Sequence, residues 1–271
     1  MAMLSLDSTI LLSTGHAIPR LGFGVYKNYT TTVSVLEALK AGYRPVYRNE
    51  GHVGAAVRES GLKREDIFIT TKVISRDHGY EKTRRVVEAS LNNIGGGYID
   101  LFLIHDPHAG KNLRLETYRA LQQYRETGKI RSVGVSNFGV KHLEEIREAG
   151  LEAPAVNQIE LHPFCQQRPI VEYCIQNNIV VSAYCPLVHG DMNFPVFQEI
   201  ATKHAKDVAQ ILIRWSLQKG FVPLPKSATP ARIHSNAQVY DFELDAEDMK
   251  RLDALDQGRA GAVSWNPVDV A

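Results

Sequence analysis

Short apolar runs of strand length alternate with helix-length amphipathic segments along the whole chain. "RLGFGVY" (20–26) is followed by "TTVSVLEALKAG", in which Val35 and Leu39 share a helical face and Gly42 ends the helix. "YRPVY" (43–47) leads into "NEGHVGAAVRESG", and "DIFITTKV" (66–73) into a helix striped by Val87, Leu91 and Ile94. "YIDLFLIH" (98–105) precedes Leu115, Tyr118 and Leu121, and "SVGVSNF" (132–138) precedes Leu143 and Ile146. "AVNQIEL" (155–161) leads to Ile170, Tyr173 and Cys174, and "IVVSAYCPL" (179–187) to Phe197 and Ile200. "FVPLPKS" (221–227) leads to a last helix around Arg232. The strands are nearly continuously apolar, as strands covered on both faces must be. Strict alternation over eight units predicts a closed (β/α)8 (TIM) barrel in a single domain over residues 1–271. "TILLSTGHAIP" ahead of the first unit predicts a hairpin turning at Thr14-Gly15-His16, placed to plug the N-terminal end of the barrel.

A doubly wound sheet is the competing arrangement, and it calls for a glycine-rich phosphate loop after an early strand. "GFG" (22–24) fails that pattern because position 27 is Lys, and "GGG" (95–97) precedes a strand where the pattern needs one before it. Composition narrows the partners. Lys plus Arg is 31 against 30 for Asp plus Glu, so a net charge of +1 gives no general attraction to nucleic acid or membrane surfaces. No stretch approaches about 18 consecutive apolar residues, so no membrane span is expected, and the N-terminus has neither a basic start nor a signal-peptide core. Cys165, Cys174 and Cys185 are an odd number without metal-type spacing. Buried free thiols in a cytoplasmic, monomeric protein are expected.

In such a barrel the active site is built at the C-terminal ends of the strands. Those ends carry Tyr47, Lys72, His105, Ser136 with Asn137, Asn157 with Gln158, Tyr184, and Lys226 with Ser227. One Lys or His at a strand end usually marks only where burial stops; seven polar ends on one rim mark a site. The set has a chemistry. The Tyr47 phenol is a weak acid with an ordinary pKa near ~10, and a neighbouring Lys72 ammonium favours its ionised form. His105 can hold a carbonyl oxygen. Such a trio donates a proton to an oxygen that turns negative as hydride reaches carbon, with no metal required.

The chain resembles the aldo-keto reductases over nearly its whole length, through "IPRLGFGVY", "YIDLFLIHDPH", "GKIRSVGVSNF", "APAVNQIELHPF", "SAYCPL" and "PLPKSATPARIHSN" in order. The resemblance implies reduction of aldehydes or ketones by NADPH, with Tyr47 as proton donor and Lys72 and His105 as its catalytic partners. It assigns Ser136, Asn137 and Gln158 to the nicotinamide carboxamide and Tyr184 to its ring face, with Leu187 beside them. Lys226, Ser227, Thr229 and Arg232 would take the 2′-phosphate at the start of the last helix, where cations and free N–H groups favour an anion, and Asn236 the adenine. Ser235 stands where many relatives carry an acid. Substrate-pocket positions are Tyr26, Ile74, Asp106, His108 and Trp265, and the loop "LVHGDMNF" (187–194) is a candidate cover. Asp106 is unusual for its position. Facing the pocket it would disfavour anionic substrates; facing away it would be a solvated carboxylate.

The second strand departs from the resemblance. Relatives read GYR-h-h-D-[ST]-A-x-x-Y-x-N-E, where h is His or apolar, whereas here Arg44 is followed at once by Pro45-Val46-Tyr47. Five residues are missing, among them the acid that pairs with the lysine. Either the molecule has five residues that this sequence lacks, or the deletion is real. Two consequences are expected of a real deletion. Lys72 loses its partner, and a strand with Pro45 at its centre loses ladder hydrogen bonds, so that Tyr47 misses the pocket. A cofactor-binding protein with little turnover is the corresponding second functional reading.

Overall fold

The computed structural model describes residues 4–25, 28–47, 50–95 and 97–271, with Tyr47 described through its backbone. The N-terminal hairpin forms as its sequence predicts. Strands β1 (Thr9–Leu11) and β2 (Ala17–Pro19) pair antiparallel, and the turn is closed by Leu12 N–H to His16 O at 2.8 Å and by Gly15 at φ 81°. Leu12 and Ile18 are buried among Phe68, Leu101, Leu103, Val156 and Val222, so the hairpin caps the inner cluster of the barrel.

Eight parallel strands follow in sequence order around one sheet. They are β3 (Phe23–Gly24), β4 (Pro45–Tyr47), β5 (Phe68–Val73), β6 (Ile99–Ile104), β7 (Ile130–Ser136), β8 (Val156–Glu160), β9 (Val180–Tyr184) and β10 (Val222–Pro223). The first and last strands are joined by Gly22 N–H to Pro223 O and Gly24 N–H to Pro225 O, both 3.0 Å, which close the ring. The seam is tight at glycine: a Cβ on Gly24 would stand 3.1 Å from Leu224 O, and one on Gly22 would push the Leu224 side chain aside. Along each strand the pleat sends alternate residues inward and outward. In β6, Leu101 and Leu103 belong to the inner cluster, whereas Phe102 and Ile104 pack under the helices.

Helices cover the outside, each at the place its stripe predicts. They are α1 (Thr31–Lys40), α2 (Glu50–Glu59), α3 (Tyr80–Ile94), α4 (Lys111–Glu126), α5 (Val140–Glu148), α6 (Arg168–Gln176), α7 (Pro195–His204) and α9 (Pro230–Ala237). Two further helices, α8 (Val208–Gln218) and α10 (Ala246–Asp253), have no counterpart in the sequence reading. In α8 the run from Gln210 to Leu217 is buried on every side, because its polar stripe of Gln210, Arg214 and Gln218 is turned onto the carbonyls of the 235–244 segment where an ordinary surface helix would turn it to solvent. Cys165, Cys174 and Cys185 are free thiols. Burial pushes each of them up to about 12, which leaves them unreactive near neutral pH.

The expected failure of the second strand is corrected by its register. Pro45 is the first residue of β4, where a missing N–H is tolerated, and the strand pairs on both sides. Val46 and Tyr47 face Phe23 and Gly24, while Pro45, Val46 and Tyr47 face Phe68, Ile69 and Thr70. Only positions 48 and 49 separate β4 from α2. By this register the five positions that the aldo-keto reductase pattern has in addition fall between β4 and α2, and the strand itself is in place. Counted from Arg44, Tyr47 occupies the register position that the aldo-keto reductase pattern gives to its acid; counted back from Asn49-Glu50, it is the tyrosine. One residue stands where the pattern has two.

Candidate active site

The strand ends carry their polar residues to one rim, and the pleat decides which of them face the interior. In β5, Phe68 joins the inner cluster whereas Ile69 and Val73 join the outer one, which puts Lys72 on the inner register. Its Nζ donates to Ser136 Oγ on β7 at 2.8 Å. Burial of the amine pushes its pKa well below the ordinary lysine value, and the charge of Asp106 acts in the opposite direction. The Tyr47 Cα, two register steps before Lys72 on the neighbouring strand, lies about 8 Å from the Lys72 Cα by strand geometry. The Tyr47 side chain and Tyr26 lie outside the described residues.

His105 follows β6 directly, its N–H bonded to Val73 O at 2.8 Å. Asn137, at φ 60°, holds three strand ends together. Its Nδ2 donates to His105 O at 3.0 Å and Ser136 Oγ at 3.3 Å, and its Oδ1 accepts the Tyr184 hydroxyl at 2.7 Å. The left-handed backbone, tolerated by Asn better than by most residues, turns the amide back over the rim. Burial also raises the Tyr184 phenol, helped by the charge of Glu160, so Tyr184 keeps its proton. Gln158 is 2% exposed. Its side-chain amide has no protein hydrogen-bond partner among the described residues. Asn157 points the other way, donating to Phe138 O at 2.9 Å and facing Cys174 on α6.

A second polar group lies at the start of α9. Ser227 Oγ accepts the Thr229 N–H at 3.0 Å, and Asn28, ahead of α1, donates to Ser227 O at 3.4 Å. Lys226 and Arg232 are exposed, and neither is ion-paired among the described residues. Asn236 is buried behind them. Leu187, partly buried, packs at the edge of the outer core.

The substrate-side residues separate into two groups. Trp265 lies with its ring 5.4 Å from both the His105 and His108 rings, so the C-terminal segment reaches across the mouth. Ile74 lines a cavity of about 350 Å³ with Lys72, Glu50, Thr71 and Ser90, on the α2–α3 side of β5. Glu50 is engaged there by Thr71 Oγ1 at 2.6 Å, Ser90 Oγ at 2.5 Å and Asn93 Nδ2 at 3.4 Å, so it does not take the place of the missing acid. Asp106 is 2% exposed and is not the solvated carboxylate of one sequence-based alternative.

Residues outside the sequence reading hold that C-terminal segment. Glu160, fully buried at the end of β8, accepts His162 Nε2 at 3.0 Å and the backbone N–H groups of Val263 and Ser264 at 2.5 and 3.1 Å. His142 accepts the Gly139 N–H on Nδ1 at 3.0 Å, which leaves Nε2–H to donate to Val270 O at 2.6 Å. That arrangement needs a neutral ring, and burial lowers the His142 pKa accordingly. The available signal was a charged residue inside an apolar strand run, Glu160 in "AVNQIEL". Gly261 passes so close to Phe164 O that a Cβ would collide with that carbonyl. Gly261→Ala should therefore shift the segment and raise KM for the substrate severalfold more than it changes kcat; steady-state kinetics check this, and an unchanged KM would contradict it.

The sequence profile described as the aldo/keto reductase family matches residues 27–257. The chain belongs to this family. It is 44% identical over 262 residues to a glyoxal reductase of Bacillus subtilis (strain 168), covering 93% of this chain and 94% of that one. The crystal structure of an aldo/keto reductase from Brucella melitensis superposes with a TM-score of 0.90 at 42% identity, covering 94% of this chain and all of the other. A Bombyx mori aldo-keto reductase solved in complex with NADP superposes at 0.86 with 30% identity, covering 93% and 94% of the two chains. As an aldo-keto reductase the chain is an oxidoreductase, and no helix among its described residues is long and apolar enough to cross a membrane.

Proposed function

We propose that this aldo-keto reductase is a carbonyl reductase that uses NADPH to convert small aldehydes or ketones to alcohols. The observation that carries the reading is the rim network, in which Lys72, Ser136, Asn137, Tyr184 and the His105 backbone are joined by hydrogen bonds. The residues present fit a nicotinamide. Ser136 Oγ accepts from Lys72 and Asn137, which leaves its own proton to donate, and the Gln158 amide has both functions available. The Tyr184 ring is oriented by its bond to Asn137. When bound, the cofactor supplies the hydride. This chain's own residues do the rest: Tyr47 gives a proton to the developing alkoxide, Lys72 supports it electrostatically, and His105 orients the carbonyl oxygen. Trp265 and His108 line the approach.

At the other end, Lys226 and Arg232 offer two exposed cations, without an ion pair among the described residues, and α9 its first N–H groups, which suits a phosphate on the ribose. The relative named for glyoxal reduction makes small dicarbonyls and aromatic aldehydes the first substrates to test. NADPH oxidation in the presence of these compounds tests the reading. Arg232→Ala should weaken NADPH binding by about 10-fold or more, equivalent to roughly 1.4 kcal/mol, and leave NADH nearly unchanged. Equal losses for the two cofactors would remove the phosphate assignment. The missing acid of β4 supports a second reading, an NADPH-binding protein with little turnover; tight NADPH binding without aldehyde reduction is its signature.

A further inference from the structure

Asp106 occupies a place its chemistry does not explain unless it works for the site. It follows His105 at the end of β6 and is 2% exposed. Its Oδ2 lies 3.6 Å from His105 Nδ1, within ion-pair distance. Its Oδ1 accepts the His108 backbone N–H at 3.1 Å, which fixes the carboxylate rotamer. A carboxylate withdrawn from water is unfavourable unless cations or N–H donors compensate it. The compensating groups are those of the rim. Its charge acts on Lys72 of β5 and on His78, in the connection that follows β5. On the α4 side, the Arg114 guanidinium donates to Pro107 O at 2.5 Å and sits against the same turn.

We propose that Asp106 is the carboxylate of this active site: a positioning residue that faces His105 Nδ1 and favours the imidazolium form of that ring. The inference rests on the carbonyl reductase reading for its functional consequence, but its electrostatic part stands independently. With Nδ1–H facing Asp106 in the imidazolium, Nε2–H is the donor that can meet a substrate oxygen. No covalent step is involved. The titratable and charged groups that face the pair are Lys72 from β5, His78 from the following connection, Arg114 from α4 and His108 from the succeeding loop.

The test is Asp106→Asn in the full-length protein, with three readouts. The His105 imidazole titration, followed by NMR without substrate, should move down by about one pH unit when the opposite charge is removed. With NADPH and an aromatic aldehyde, kcat should fall by about 10- to 100-fold and its pH profile should shift with the imidazole. NADPH affinity should stay within about twofold, and Asp106→Glu should recover part of both the titration and kcat. An Asn variant whose His105 titration and pH profile match the wild type would overturn the proposal. The wild-type protein gives a second test should the Asn variant fail to fold. Its His105 midpoint should lie above the ordinary histidine value of about 6.5, and a midpoint below it would also overturn the assignment. If the wild type binds NADPH but reduces no aldehyde, the carbonyl reductase reading fails, while the imidazole titration still decides the role of Asp106.

Discussion

Tyr47→Phe should reduce turnover by about 10²–10⁴-fold, the range expected when a positioned general acid is removed, while NADPH affinity stays within about twofold. The substitution deletes only the phenol oxygen and keeps the ring, so it isolates the proton from the packing. The register supports the choice of residue. Tyr47 is the last residue of β4 and pairs with Thr70, two steps short of Lys72, on the strand adjoining the rim network. Tyr184, the other tyrosine at the rim, is a poor acid, because burial raises its phenol and its hydroxyl is already donated to Asn137. The pH dependence follows from Lys72. Its folded-state pKa lies below the ordinary value, so its ammonium is lost on the alkaline side earlier than that of an exposed lysine. The support it gives to the phenol, and with it kcat, should decline over that same interval. Steady-state rates across pH, set beside fluorescence titration of NADPH, measure both parts. Retained turnover in the Phe variant would remove Tyr47 from its role.

Arg114→Met should lower stability by about 3–5 kcal/mol, the cost of breaking a buried ion pair on one side. At about 2–4 °C per kcal/mol for a chain of this size class, the melting temperature should fall by roughly 10 °C. Arg114 is 2% exposed, and it forks onto Glu145 with Nη2 at 2.8 Å from both carboxylate oxygens and Nε at 3.1 Å. Its Nη1 also donates to Pro107 O and, at 3.2 Å, to Ala271 O. One side chain on α4 thus ties α5, the turn after Asp106 and the end of the chain. Methionine keeps the apolar stem but takes the donors from the Glu145 carboxylate and Ala271 O, and leaves Pro107 O only the long bond from the Gly110 N–H at 3.5 Å. Arg114→Lys should fall between the two, because an ammonium cannot reproduce the planar fork. Differential scanning calorimetry decides the matter, and a shift of under about 2 °C for the Met variant would show that the network contributes little.

Much of the barrel was legible because its signals are local. Each strand run and each striped helix from Val35 to Ile233 needs only neighbouring residues to declare its period, and the Thr14-Gly15-His16 turn declares itself by residue type. The polar rim was legible for the same reason, since Lys72, His105, Ser136 and Tyr184 each stand where an apolar run ends. Local signals failed where burial is complete or where a single step of register matters. Helix α8 turns its polar stripe of Gln210, Arg214 and Gln218 onto other chain segments and not to solvent, and a one-residue change of parity sends Asn157 toward α6 while Gln158 stays on the inner register. The short second strand looked broken in sequence, because a count from either side claims Tyr47. Pairing with both β3 and β5 shows the strand in place, with the difference from the family pattern lying between it and α2.

What only the tertiary structure decided was every relation that depends on groups distant in sequence meeting in a low-dielectric interior. Asp106 is an ambiguous acid until the fold buries it beside His105 and within the field of Lys72. Glu160 is an oddity in a strand until Val263 and Ser264 return more than a hundred positions later to meet it. The sequence by itself determined the barrel and which polar residues stand at its strand ends, because hydrophobic period and strand termini are properties of short segments. The arrangement of charge within the site belongs to the fold, because burial and separation set electrostatic strength, and neither is written in any one segment.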